Sequence, residues 1–263
     1  MKVIVINPAF HVGRRRFQEE QLARLGLEAV FIDAVSLEDV PDSFCQKAAD
    51  SWTRGVWRKD IACFLSHRRA WEAVAAGGEA CAIIEDDVVL SSRTKAVLDH
   101  LAAHPAGDDV IYDLEYVLRR HLLAKSAEWS VEGIGRAVRI HQNKNGLGAY
   151  WIGPQAAARM AEEEQIYAMA DAYFWTRPWA RFRQIEPAIG VQMDYFADYP
   201  KLERLPVAST ERMFKGAATL RGKMRRLRLT LDALPSWVAG QLFGVSRMLE
   251  IRRGEFERGE TIR

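Results

Sequence analysis

Short apolar runs alternate with stretches in which apolar side chains recur every three or four residues, the pattern of a sheet whose strands are linked by helices. Val3 to Ile6 is the first run, ended by Asn7-Pro8. Phe17, Leu22 and Leu25 then mark a helix that Gly26 stops, and Ala29 to Ile32 leads to Asp33. This opening predicts a βαβ unit with a nucleotide-sized crevice at its carboxyl edge. Residues 35–58, with Pro41 and Gly55, predict a loop region holding a short helix around Phe44 to Ala49. Asp60 suits the N-cap of a helix in which Ile61, Phe64, Leu65, Trp71 and Val74 form one stripe, closing at Gly77-Gly78. Ala80 to Leu90 reads as a strand buried on both faces.

Thr94 to Ala103 predicts a helix and Val110 to Leu114 a strand, whereas 119–139 is a weakly patterned insertion. Arg139 to Ile152 predicts a hairpin turning at Asn145-Gly146, with Ala149 to Ile152 as its apolar strand. Pro154 opens a helix through Glu163, and Gln184 to Val191, which contains Pro187, predicts an edge strand. From Lys215 the pattern changes: Lys215, Arg221, Lys223, Arg225, Arg226 and Arg228 precede Leu229, Leu231, Leu234, Trp237, Val238, Leu242 and Phe243. The chain therefore divides into an α/β body over 1–212 and a basic, apolar helical segment over 213–263. That segment suits attachment to an anionic membrane surface, or alternatively a packed helix with a solvated basic face. Beyond Ile251 charges alternate, and a frayed tail is expected.

Three acids change the picture. Glu85, Asp86 and Asp87 sit inside the apolar run, where each carboxylate repels its neighbours and loses hydration. A hard divalent ion, Mn²⁺ or Mg²⁺, held by one or two of them together with substrate phosphates offsets both costs. Extended geometry would send Glu85 and Asp87 to one side and Asp86 to the other. An acidic turn capping the chain from Ser91 accounts for the same residues without an ion. Asn7 lies at the expected crevice, and Arg15, among Arg14 to Arg16, is placed to meet a pyrophosphate there. These arginines equally fit a solvated first turn, although positive charge at a helix start opposes the dipole. His67 is a candidate donor ligand on its helix; a helical histidine also serves as a structural hydrogen-bonder. Asp171, in Ala-Asp-Ala-Tyr-Phe-Trp, is a rare acid among apolar neighbours. Burial would raise its pKa toward that of a general base, unless it caps a helix.

Bulk composition narrows the classes. The 263 residues are 49% hydrophobic, enough for one large core or two lobes. The balance of 37 Lys+Arg against 35 Asp+Glu does not mark a nucleic-acid binder. Cys45, Cys63 and Cys81 are odd in number and widely spaced, so neither a disulfide framework nor a zinc site is indicated and a reducing compartment fits. The opening lacks a signal-peptide pattern, and no run reaches the roughly 18–20 apolar residues of a membrane span, so a cytoplasmic location is expected.

Asp-Ile-Ala-Cys-Phe-Leu-Ser-His-Arg-Arg-Ala-Trp at 60–71 and Ala-Ile-Ile-Glu-Asp-Asp-Val at 82–88 resemble the paired signatures of glycosyltransferase family 25, the lipooligosaccharide galactosyltransferase group. The opening strand with Arg14 to Arg16, Gly148 to Ile152, Asp171 and Pro187 to Gln192 are similar to the same family, so the likeness spans roughly 1–192. The resemblance implies a GT-A-like fold with one central mixed sheet, a UDP-sugar donor, most often UDP-galactose, and a metal-bridged diphosphate. It further implies a glycolipid or oligosaccharide acceptor and a β-linked product, on the inner face of the bacterial inner membrane. In that frame Asp87 and Glu85 hold the metal, Glu85 and Asp86 position the ribose with Asn7, Arg15 and His67 on the donor, and Asp171 is the base. The family's Ser-rich motif downstream of Gln192 is represented at best by Ser209-Thr210. Two other classes compete. A phosphoryl-receiving domain also grips Mg²⁺ with acids at a strand end, but there the acids follow the first strand. A non-catalytic sugar-nucleotide or glycolipid binding module would keep the fold without turnover.

Overall fold

Alternation along β1 (Lys2–Asn7) sends Val3 and Val5 to one face of a sheet and Ile4 and Ile6 to the other, and all four are buried. The computed structural model describes residues 1–51, 55–142, 146–162, 168–195 and 220–256. Helix α1 (Val12–Arg24) follows, and Gly26 reverses the chain at φ +67°, a conformation a side chain would strain. β2 (Glu28–Asp33) then pairs parallel with β1, and β3 (Cys81–Glu85) pairs parallel on its other side. Between them run α2 (Asp42–Ser51) and α3 (Arg58–Gly77), the latter ended by Gly78 at φ +71°. Asp60 does not N-cap α3 as expected; it lies in the first turn, where its carboxylate accepts the Trp57 amide at 2.8 Å.

The remaining elements are β4 (Val88–Leu90), α4 (Thr94–Ala103), β5 (Val110–Asp113), β6 (Glu115–Tyr116), β7 (Arg120–Val131), β8 (Gly135–Gln142) and β9 (Ala149–Ile152). After them come α5 (Pro154–Ala161), α6 (Ala170–Phe174), β10 (Arg181–Glu186), β11 (Gly190–Gln192), α7 (Leu220–Phe243) and β12 (Gly244–Met248). Among the described residues nine strands form one mixed sheet in the order β12-β7-β8-β10-β5-β9-β3-β1-β2, and β4-β11-β6 form a smaller one. Leu22, Val97, Leu98 and Leu101 from α1 and α4 pack on one face of the large sheet. Phe64, Trp71, Met160, Tyr173 and Phe174 from α3, α5 and α6 cover the other. Full burial of one such side chain contributes about 1.5–3 kcal/mol. The protein is thus a mixed α/β fold with a large central sheet flanked by helices.

Several local expectations give way to this topology. The run Ala80 to Leu90 is two strands in two sheets, broken by a turn at Asp86-Asp87. The insertion at 119–139 is most of a long antiparallel hairpin, β7 with β8, whose register shifts blur the expected alternation. The described strands β8 and β9 do not pair as the expected hairpin: β8 pairs with β7 and β10, and β9 pairs with β3 and β5. β10 is not an edge strand but lies between β8 and β5; Pro187 sits just beyond it, where the chain leaves for the small sheet. β12 extends the large sheet beyond β7, and Phe256 is buried against Phe17, Val89 and Val191, so the chain is docked past Ile251 instead of fraying there. Asn145, Glu163, Ser209-Thr210 and Lys215 lie outside the described residues.

Candidate active site

Three strands bend out of the large sheet at one level: β3 into β4, β5 into β6, and β10 into β11. Each exit leaves polar side chains where the strands part. At the first, Ile6 of β1 lies opposite Glu85, so the carboxyl ends of two parallel strands meet. The turn that follows makes the three acids diverge. Asp86 is buried and accepts hydrogen bonds from Asn7 Nδ2 and Arg14 Nη1, each at 2.9 Å, with His11 Nδ1 at 3.2 Å. Glu85 points to α3, with Oε1 at 3.3 Å from His67 Nε2 and Oε2 accepting from Gln192 Nε2 at 3.3 Å. Asp87 stays between them, its Oδ2 at 3.7 Å from Arg14. Its Oδ1 is buried with no hydrogen-bond partner among the described residues.

The electrostatics follow from these surroundings. Burial pushes Asp87 up to about 7; Glu85, Asp86 and Asp194 add to the rise and Arg14 opposes it. Burial also raises Glu85, but the His67 hydrogen bond and charge, the Gln192 amide and Arg14 together hold it below its usual value. His67 is itself oriented. Trp71 Nε1 donates to Tyr150 Oη at 2.8 Å, and Tyr150 lies 3.0 Å from His67 Nδ1. Indole is a donor only, so the phenolic proton is free for Nδ1, and Nε2 is then the ring nitrogen that carries hydrogen toward Glu85.

A cleft of about 270 Å³ opens beside Glu85, lined by Asp60, Cys63, Glu115, Arg119, Asp171 and Gln192 among others. Asp171 is half-buried in the first turn of α6, and its Oδ1 accepts the Ala172 amide at 2.6 Å. The structure therefore brings Glu85 and Asp171 to one cleft, with His67 buried behind Glu85, and Asn7, Asp86 and Asp87 to the adjoining turn. Arg15 lies apart from them: its guanidinium stacks 4.1 Å over the Phe31 ring and pairs with Glu19 at 3.3 Å. Arg14 and His11 take the place beside the acids.

Glu115 and Asp113 were missed in the sequence pattern. Glu115 is buried under the chain at 146–148, accepting the Gly148 amide at 2.8 Å, and a Cβ on Gly148 would come within 2.9 Å of Glu115 Oε1. Burial, then Asp113 and Glu85, push Glu115 well above its usual value against the Gly148 hydrogen bond. Burial lifts Asp113 to about 8, with the Glu115 amide opposing. The available signal was the same as at Glu85: acids alternating with Leu114 at the end of an apolar run.

No curated protein matches the chain. Among solved structures, the inositol-1-phosphate CTP transferase from T. maritima is similar at 10% identity, over 76% of this chain and 73% of that one, with a TM-score of 0.38. A likeness that distant carries nothing about the site. The family described as glycosyltransferase family 25 (LPS biosynthesis protein) matches residues 1–175, a stretch that takes in β1, the α3 face with His67, the acidic turn and Asp171. The chain belongs to glycosyltransferase family 25.

Proposed function

We propose that the protein is a metal-dependent, inverting galactosyltransferase of GT-A-like architecture that moves galactose from UDP-galactose onto a lipooligosaccharide or lipopolysaccharide acceptor. The observation that carries this reading is Asp87: a carboxyl with one buried, unpartnered oxygen, two residues from Glu85, which lines a cleft that also contains Asp171. An oxygen donor left without hydrogen bonds and repelled by neighbouring acids fits a hard cation such as Mn²⁺ or Mg²⁺. Asp87 and Glu85 would hold it. When bound, such an ion neutralises charge on the departing diphosphate.

The chain's own residues do the rest. Asn7, His11 and Arg14 hold Asp86 rigidly at the donor end, and Arg14 adds positive charge for the diphosphate. Asp171 takes the proton of the acceptor hydroxyl as its oxygen forms a bond to the anomeric carbon; the bond to the diphosphate oxygen breaks, and UDP leaves with that electron pair. The acceptor is a glycolipid or its oligosaccharide, met at an anionic surface on the inner face of the bacterial inner membrane. No helix among the described residues is long and apolar enough to cross a membrane. The apolar outer face of α7 supports peripheral attachment.

Donor hydrolysis tests the reading without knowledge of the acceptor. With Mn²⁺ and a panel of UDP-sugars, slow hydrolysis of UDP-galactose is expected to exceed that of the others and to vanish in Asp87→Asn. Asp171→Asn should keep donor affinity while kcat for transfer falls about 10²–10⁴-fold. Unchanged Mn²⁺-dependent turnover in Asp87→Asn removes it from the metal set, and a near-normal kcat in Asp171→Asn reassigns the base.

A further inference from the structure

We infer that Cys63, His67 and Glu85 form a binding site for a borderline, thiophilic divalent cation of the zinc class, distinct in ligand chemistry from the all-oxygen site centred on Asp87. Cys63 and His67 are four residues apart on α3 and so share one helical face. Glu85 reaches that face from the end of β3. Its Oε1 lies 4.0 Å from Cys63 Sγ and 3.3 Å from His67 Nε2, and the three ligand atoms all fall within 4.8 Å of one another. Tetrahedral zinc bonded at about 2.0–2.3 Å separates its ligands by about 3.3–3.8 Å, so side-chain rotation alone closes the set. One sulfur, one nitrogen and one oxygen donor suit zinc and its neighbours and suit Mg²⁺ poorly.

The surroundings fit a metal centre of the open type. His67 is anchored through its other nitrogen by Tyr150, and Glu85 through its other oxygen by Gln192, the outer support that metal ligands ordinarily have. When Nε2 binds a cation its proton moves to Nδ1, where the Tyr150 oxygen accepts it. The Cys63 proton is released to solvent. Three protein ligands leave a fourth position facing the cleft. Loss of hydration inside the cleft, then the charges of Glu85, Asp171, Asp60 and Asp87, push the exposed Cys63 thiol up; the same negative field attracts a dication that would displace that proton. Because Glu85 is common to both sets, the two kinds of ion compete.

The test is binding, read independently of glycosyl transfer. Metal-free full-length protein is titrated with Co²⁺, following the sulfur-to-cobalt charge-transfer absorption in the near ultraviolet. The band is expected to saturate at one ion per chain and to disappear on adding Zn²⁺. It should be lost in Cys63→Ser, retained in Cys81→Ser, and reached only at about 10–100-fold higher Co²⁺ in Glu85→Gln. Cys63 is exposed, so its serine variant should fold, which circular dichroism checks. In the unmodified protein, saturating Zn²⁺ should slow alkylation of Cys63 at least tenfold. Absence of the band in the unmodified protein, its survival in Cys63→Ser, or unprotected alkylation overturns the inference, whether or not the protein transfers galactose.

Discussion

Asp113 is 3% exposed at the end of β5, and burial lifts its pKa to about 8 although its carboxylate accepts the Glu115 amide. The native state therefore keeps a proton that the unfolded chain releases near pH 4, and between about pH 4 and 8 stability falls as pH rises. Asp87, at about 7, adds the same sign, whereas Glu85, held low, opposes it. Asp113→Asn should flatten the decline of Tm between about pH 5 and pH 8; an unchanged slope would mean that Asp113 is ionised in the native protein. Tyr150 is the other residue on which much turns. Tyr150→Phe removes the hydroxyl between Trp71 Nε1 and His67 Nδ1, leaving buried polar atoms without partners. A loss of about 1–3 kcal/mol in urea unfolding is expected for each orphaned group. A neutral result would show that water replaces the hydroxyl.

Helix α7 turns two unlike faces outward and inward. Ser236 donates to the His141 carbonyl at 2.9 Å, Leu229 packs on the core, and Gly240 passes so close to Leu122 that a Cβ would lie at 2.4 Å. On the opposite face Leu220, Met224, Leu227, Leu231, Leu234, Val238 and Leu242 recur at spacings of three and four, and all are exposed, Leu220 at 75%. Lys223 and Arg228 flank this stripe, a charge pattern that repels a second copy of itself and suits an anionic lipid surface. The double variant Leu227→Glu, Leu231→Glu should lower co-sedimentation with phosphatidylglycerol-containing vesicles at least tenfold at unchanged Tm. Undiminished sedimentation would place lipid attachment on another surface.

The C-terminal elements tie the whole molecule together. β12 is an edge of the large sheet, Arg247 pairs with the fully buried Glu186, and Glu255 pairs with Arg93 at 3.0 Å. Ending the chain at residue 219 would strip these contacts and uncover β7. Breaking a buried pair costs about 3–5 kcal/mol, so the shortened protein should melt well below the full chain by circular dichroism. A Tm equal to that of the full chain would make the segment an appendage. What the sequence determined by itself was local: the opening βαβ unit, the α3 stripe with its glycine stop, α4, β9, and Pro154 at the start of α5. Periodicity and punctuation of the backbone depend only on near neighbours, and these residues carry both. The paired signatures at 60–71 and 82–88 likewise pointed to the family. Tertiary structure alone decided that the strand breaks at Asp86-Asp87, that β7 and β8 pair, that β10 is central, that Arg14 rather than Arg15 faces the acids, and that Glu115 and Cys63 join Glu85. Each of those depends on a partner far along the chain, and a pattern of apolar and polar positions records that a residue is buried without recording against what.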